Sequence, residues 1–375
     1  MKPSHEVAEV LRHRQHRLRE LCANSWQLRT LQALSVCRTA ALGGHIDVCN
    51  NSACNKIHIS YNSCRNRHCP KCQGHKREEW MAARGQELFR TTYYHLVFTL
   101  PGELNRLALY RPKLVYGLLF QTAWQVVNGF ALNPKFIGAA PGMIAILHTW
   151  GQNLSLHPHL HCIVPGGGVT TSGKWKAARG KNKFLFPVKA MGKVFRAQYV
   201  QALRKEGIDD AQLYKSLFSK PWVVYCKQPF FGPQQVVEYL GRYTHKIAIS
   251  NHRIRSIENG KVTFTAKDYR KAGKKYPLTL SEDEFIRRFS LHILPRGFTR
   301  IRYYGILSST LKKRCVELLQ QELGKPGLPE RTDVHLLCPV CRKGKLVTIW
   351  RFHQRGPPPM DDSFLNLLIN LAKKS

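Results

Sequence analysis

Apolar residues recur at helical spacing over residues 5–45, at Val7, Val10, Leu11, Leu18 and Leu21, with few breakers before Gly43-Gly44. Helical spacing returns over residues 76–89 (Trp80, Met81, Ala83, Leu88). A run rich in Tyr, Val, Phe and Thr at 93–100 predicts a strand, stopped by Pro101-Gly102. A long helical pattern covers 103–129. Residues 143–150 and 159–164 then predict neighbouring strands, with 151–156 as the turn and Pro165 and three glycines ending the second. Helical stretches at about 194–205 and 209–218 precede a predicted strand at 222–227. Pro233 stands where a first helical turn opens residues 234–245. A hairpin is expected from 247–257 and 261–266 around Glu258-Asn259-Gly260, and Ser281 with Glu284 marks a helix start. A strand at 299–304 and a helix at 307–323 follow, and beyond Gly324 the chain turns Pro/Gly-rich. These elements divide the chain into 1–90, 91–305 and 306–375.

At 375 residues with 43% hydrophobic content, the chain is long enough for two or three folded domains. Lys and Arg number 59 against 23 Asp and Glu, a net charge of +36. The excess is spread through patterned segments, which points to a nucleic-acid partner rather than a disordered basic tail. No membrane partner is expected. The most apolar stretch, 114–131, is interrupted by Gln121, Gln125 and Asn128, and the first forty residues interleave Arg, His and Glu with Leu, unlike a secretory leader. The expected location is the cytoplasm.

Five of the twelve cysteines fall between Cys49 and Cys72 in metal-ligand spacings, which predicts a zinc site rather than a disulfide scaffold. The chosen ligands are Cys49, Cys54, Cys69 and Cys72, with Cys64 left to replace Cys54, to join a second site or to pack. Four thiolates leave no open position, so the role is structural. Arg65, Arg67, Lys71, Lys76 and Arg77 around the knuckle suit phosphate contacts. Cys338 and Cys341 supply half a further site, to be completed by His335 or His353, or else a plain turn.

His157, His159 and His161 alternate with Pro158 and Leu160 before an apolar β-branched run. On a strand His159 and His161 project from one face while Leu160 enters the core. Paired neutral imidazoles are ready ligands for a divalent ion that polarises a phosphodiester. His157 is the obvious third ligand by spacing, and His95 is another if its strand is adjacent. Tyr239 and Tyr243 lie four apart, on one face of a helix. A tyrosine hydroxyl can attack phosphorus and hold one end of a cut strand. No dispersed Asp/Asp/Glu set suggests a two-metal nuclease instead.

The stretch from Ser63 to Gln73, residues 157–164, the run Tyr239-Leu240-Gly241-Arg242-Tyr243-Thr244-His245, and the segment from Arg287-Arg288-Phe289 to Gly297-Phe298 together resemble the transposases of the insertion-sequence ninety-one family. These belong to the two-tyrosine branch of the HUH (His-hydrophobic-His) endonucleases. The resemblance runs from the N-terminal helices through Gly305. It implies an α+β fold: an N-terminal helical zinc-binding domain, then an HUH nuclease domain with a central antiparallel sheet flanked by helices. It further implies that His159 and His161 bind Mg2+ or Mn2+ and that Tyr239 and Tyr243 are the nucleophiles. Single-stranded or hairpin element ends would be nicked and rejoined through a 5′-phosphotyrosine, in a rolling-circle-like route. The competing readings are a replication initiator or relaxase of the same chemistry, and a zinc-containing DNA-binding regulator without catalysis.

Overall fold

A computed structural model describes residues 3–72, 83–179, 185–226, 230, 235–237, 241, 247–268, 271–327, 337–354, 356–357 and 360–373. Its centre is a five-stranded antiparallel sheet made of β3 (Tyr93–Thr99), β4 (Gly142–Trp150), β5 (Leu156–Pro165), β8 (Val224–Cys226) and β12 (Ile301–Gly305), in the order β12-β4-β5-β3-β8. Period-two alternation divides its residues between two faces. Leu96, Phe98, Ala145, Leu147, Leu160, Cys162 and Val164 enter the main core. There they meet Phe120 of α4 (Pro112–Leu132) and Phe195 and Tyr199 of α5 (Val188–Lys205). The short α3 (Asn105–Tyr110) leads into α4, and α6 (Ala211–Ser219) follows α5. Gln121 and Gln125 form the solvent edge of α4, so its apolar length is explained by packing on a sheet. Among the described residues no helix is long and apolar enough to cross a membrane.

The opposite face carries His95, His148, His159 and His161 toward one end. Toward the other, Ile144, Ile146 and Ile163 join Leu88, Phe89 and Val236, together with Val316 and Leu319 of α8 (Lys312–Leu323). A small ribbon, β6 (Gly167–Val169) with β7 (Trp175–Ala177), packs Val169 and Trp175 against this second cluster.

Residues 5–45 are not one helical run. They form α1 (Val7–His13) and α2 (Ser25–Ser35), and then β1 (Gly44–Cys49). The Asn24 side chain accepts from the Gln27 N–H and starts α2 afresh. Gly43, at φ 68°, turns the chain into β1, where Ile46 and Val48 are buried.

Nor do the three stretches 1–90, 91–305 and 306–375 pack as separate bodies. Val7, Val10, Leu11, Leu31 and Leu34 share a core with Ile254 of β9 (Ile254–Glu258), Val262 and Phe264 of β10 (Lys261–Asp268), and Phe285 and Phe289 of α7 (Glu282–Ser290). The hairpin β9–β10 closes on Asn259 and Gly260, both at positive φ, as the Asn-Gly pair predicts. The strand β11 (Lys274–Ser281) completes that sheet, and Ser281 Oγ accepts from the Glu284 N–H to start α7. Buried Glu282 fastens the halves together: Arg14 Nε lies 2.8 Å from one carboxylate oxygen and His13 Nδ1 2.9 Å from the other.

The C-terminal stretch divides likewise. Helix α8 covers the central sheet. The strand β13 (Leu346–Phe352) instead pairs antiparallel with β1, opposite β2 (Ile57–Tyr61), and α9 (Asp362–Lys373) packs alongside.

Candidate metal centres and nuclease site

Three imidazoles converge on the second face of the central sheet: each of His148, His159 and His161 offers a ring nitrogen within 4.8 Å of the others. His159 and His161 project together from β5, as the alternation predicts. The third partner is His148, and the expectation for His157 does not hold. Its cause is a register slip. Trp150 pairs with Leu156 but His148 pairs with His159, so β5 uses one more residue than β4 over this interval. Such a bulge reverses the alternation on one side of it. Pro158, which has no N–H to give the ladder, lies within it. His157 is thereby left exposed, outside the trio, while His148 faces His159 directly.

His157 still acts on the site through its backbone. His159 Nδ1 stands 2.6 Å from the His157 carbonyl, and a carbonyl only accepts, so Nδ1 carries the proton and Nε2 keeps its lone pair. His161 Nδ1 is 2.9 Å from His95 Nε2, and the rings stack with centroids 5.1 Å apart. When His161 donates in this pair, its Nε2 is likewise left as a ligand. His95, considered as a possible ligand, thus instead braces His161. His95, His148 and His161 are buried and His159 is half-buried, so the trio opens outward at His159.

A pedestal supports His148 from beneath. The Trp150 ring stacks on it with centroids 4.6 Å apart, and the Arg300 guanidinium lies 5.2 Å from the Trp150 centroid. Arg300 Nε donates to the Leu147 carbonyl, and burial, then the nearby Arg67 charge, lowers its pKa to about 9. Beside them His292 Nε2–H reaches the Leu154 carbonyl at 3.1 Å, which leaves Nδ1 to accept from Thr149 Oγ1. Burial lowers its pKa to about 4, so it is neutral near pH 7.

The cysteines form two clusters of four. Cys69 and Cys72 gather with Cys37 and Cys64, while Cys49 and Cys54 gather with Cys338 and Cys341. The chosen set of Cys49, Cys54, Cys69 and Cys72 is therefore divided, because β1 and β2 carry the first pair away from the knuckle of the second. Cys64 does replace Cys54 as a neighbour of Cys69 and Cys72. Cys37, just beyond α2, completes that group. In it the Cys37–Cys72 and Cys64–Cys72 sulfurs are 3.5 and 3.6 Å apart. Tetrahedral zinc with Zn–S of about 2.3 Å has sulfur–sulfur edges of about 3.8 Å, so the donor set suits that ion. The Cys64 N–H points at Cys37 Sγ, and thiol hydrogen bonds, first that from Cys64, lower the Cys37 pKa to about 7.

Two of the basic residues proposed for phosphate contact are otherwise engaged. Arg67 donates to the Phe298 and Pro295 carbonyls, and Lys71 pairs with Glu6 at 2.6 Å and donates to the Cys37 carbonyl. They tie the knuckle to the rest of the protein. Lys76 and Arg77 lie outside the described residues, as do Tyr239, Tyr243, Arg242, His245 and His335. Among the described residues near the tyrosines, Val236, fully buried, and Val237 pack with Ile144, Ile146 and Ile163 on the histidine-bearing face.

Comparison with known proteins gives two matching family models. One described as "Transposase zinc-binding domain" covers residues 9–100, and one described as "Putative transposase" covers residues 142–315. The chain is 40% identical over 390 residues to "Putative transposase y4qJ" of Sinorhizobium fredii, spanning 94% of this chain and 97% of that one. It is 28% identical over 305 residues to the transposase for insertion sequence element IS801 of Pseudomonas savastanoi pv. phaseolicola, across 78% of this chain and 73% of the relative. Among solved structures, the conjugative relaxase TrwC in complex with oriT DNA, in its metal-bound form, aligns over 62% of this chain and 73% of its own. Identity there is 11% and the TM-score 0.25, a likeness too loose to build on. By its near-full-length identity and both matched segments, the chain belongs to the insertion-sequence ninety-one family of transposases and carries an N-terminal transposase zinc-binding domain.

Proposed function

We propose that this transposase nicks and rejoins one DNA strand at the ends of its insertion sequence through a 5′-phosphotyrosine on Tyr239 or Tyr243. The observation that carries the reading is the convergence of His148, His159 and His161 on one sheet face, with Val236 packed on that same face three positions before Tyr239. The three imidazoles would hold Mg2+ or Mn2+. All are neutral donors, so an ion bound there keeps its charge for the non-bridging oxygens of a phosphodiester. Attack by the phenol oxygen forms the bond to phosphorus as the bond to the 3′ oxygen breaks. The phenolic proton is lost and the released 3′ hydroxyl gains one. The reverse reaction with another strand's 3′ hydroxyl rejoins DNA. Two tyrosines allow two such attachments in alternation.

A groove of about 1110 Å³ between α2 and the α3–α4 corner, lined in part by Trp26, Tyr110, Arg111, Lys113 and Arg296, offers phosphate and base contacts for a single strand. Cys37, Cys64, Cys69 and Cys72 would hold a structural zinc ion in the matched zinc-binding domain.

The test is incubation with a single-stranded oligonucleotide from the element's end and Mg2+. A nicked product with protein covalently attached is expected. Replacing both Tyr239 and Tyr243 with Phe abolishes the adduct and leaves DNA binding largely intact; an adduct that survives both substitutions removes these residues as nucleophiles. A DNA-binding regulator would bind the oligonucleotide without cutting it.

A further inference from the structure

We propose that Cys49, Cys54, Cys338 and Cys341 hold a second structural zinc ion, which clamps the C-terminal strand onto the N-terminal zinc-binding domain. Two of these ligands lie beyond both segments matched by the family models, which end at residues 100 and 315. Their four sulfurs all fall within 4.8 Å of one another, although Cys49 and Cys341 are 292 positions apart in sequence. The Cys49–Cys341 and Cys54–Cys338 separations are 3.6 and 3.9 Å, bracketing the edge of about 3.8 Å that follows from Zn–S bonds of about 2.3 Å.

The backbone is built for the purpose on both sides. After Cys49, the Cys54 and Asn55 N–H groups both return to the Asn51 carbonyl, and Asn55 takes a positive φ of 47°. Opposite, the Arg342 N–H returns to the Cys338 carbonyl, Arg342 takes a positive φ of 56°, and the Gly344 N–H points at Cys341 Sγ at 3.4 Å. Each is a tight knuckle that turns its sulfurs inward. Gly344 has to be glycine, since a Cβ there would lie 2.5 Å from Cys49 Sγ and 2.9 Å from the Asn51 backbone nitrogen. The two knuckles are sewn together where the Asn50 N–H meets the Lys345 carbonyl and the Lys345 N–H meets Asn50 Oδ1.

A need for the ion is visible in the core. Among the described residues, the core of the sheet β13-β1-β2 with α9 is the buried cluster Ile46, Val48, Phe352 and Leu368. A core of that size is too small to hold a three-stranded unit by burial alone, and structural metals are a common remedy. Arg342, Lys343 and Lys345 offset the charge of four thiolates. With all four positions filled by sulfur, the site is closed to substrate.

The experiment counts sulfur-bound metal in the full-length protein purified under reducing conditions. Two zinc ions in all-sulfur coordination are expected by elemental analysis and zinc X-ray absorption. After cobalt substitution, the thiolate-to-cobalt charge-transfer band should fall by half in Cys338→Ser/Cys341→Ser and by half in Cys64→Ser/Cys72→Ser. The histidine trio adds nothing to that band. One sulfur-bound ion per unaltered chain overturns the proposal, and so does a full band in Cys338→Ser/Cys341→Ser. Two disulfides in place of the clamp would overturn it as well. They would show as four thiols missing when the unaltered protein is denatured without reductant, a measurement that stands even if the variants do not fold.

Discussion

Replacing His148 with Ala separates the metal trio from the histidine run that first draws the eye. In the structure His148 is one of three converging imidazoles, whereas His157 contributes its carbonyl and not its ring. Groups that merely support a ligand typically cost 10–100-fold in metal affinity when removed, so losing a ligand should weaken binding at least about 100-fold. That is about 2.7 kcal/mol. His157→Ala keeps the backbone carbonyl and hence the 2.6 Å hydrogen bond that sets the His159 tautomer. It loses only a ring contact with centroids 5.2 Å apart. Such a contact is worth about 0.5–1 kcal/mol, or roughly two- to fivefold in affinity. Mn2+ titration by calorimetry or by the free-ion paramagnetic resonance signal measures both variants, and near-ultraviolet circular dichroism checks that the buried His148 site still folds. The reasoning fails if His157→Ala loses the ion while His148→Ala keeps it within fivefold of the unaltered protein.

Two further outcomes concern stability. His292 is buried with a pKa of about 4, against about 6.5 in the unfolded chain, so below pH 6.5 the unfolded state takes up a proton that the folded state refuses. Its contribution is fully present above about pH 6.5 and lost as pH falls toward 4, on the order of 3 kcal/mol over that window. Denaturant unfolding of His292→Gln should show a shallower loss over the same range, and an unchanged slope would refute the assignment. Glu282→Ala should destabilise by about 3 kcal/mol in the same assay, because Arg14 and His13 lose a buried carboxylate that joins α1 to α7. A loss under about 1 kcal/mol would show that the pair is as weak as an exposed one.

Much of the architecture was legible because it rests on local rules. The strands at 93–100, 143–150 and 159–164 follow from β-branched runs bounded by Gly and Pro, and the Asn259-Gly260 turn and the Ser281 cap from side-chain chemistry. His148 was not legible, since a single histidine in an apolar strand reads as core. Counting back across the turn from Trp150 and Leu156 sets it opposite Pro158; only the bulge brings it opposite His159. Cys37 lay outside the dense cysteine stretch, and nothing local announces that a helix end will swing it onto the knuckle. The pairing of β1 with β13 depends on contacts between remote positions, which spacing along the chain does not encode. Cys338 and Cys341, read as half of a site or as a plain turn, gather with the Cys49/Cys54 pair that had been assigned elsewhere.

The embrace of β1 by β13 also sets a clock on biosynthesis. Ribosomes add about 5–20 residues per second, so the roughly 290-position gap from Cys49 to Cys341 leaves β1 waiting some 15–60 s for its second neighbour. Throughout that interval one rim of a hydrophobic strand stands unpaired, inviting adhesion to other nascent chains. Message decay or a premature stop before residue 346 would therefore release a polypeptide with a sticky border, one the cell's proteases should clear quickly.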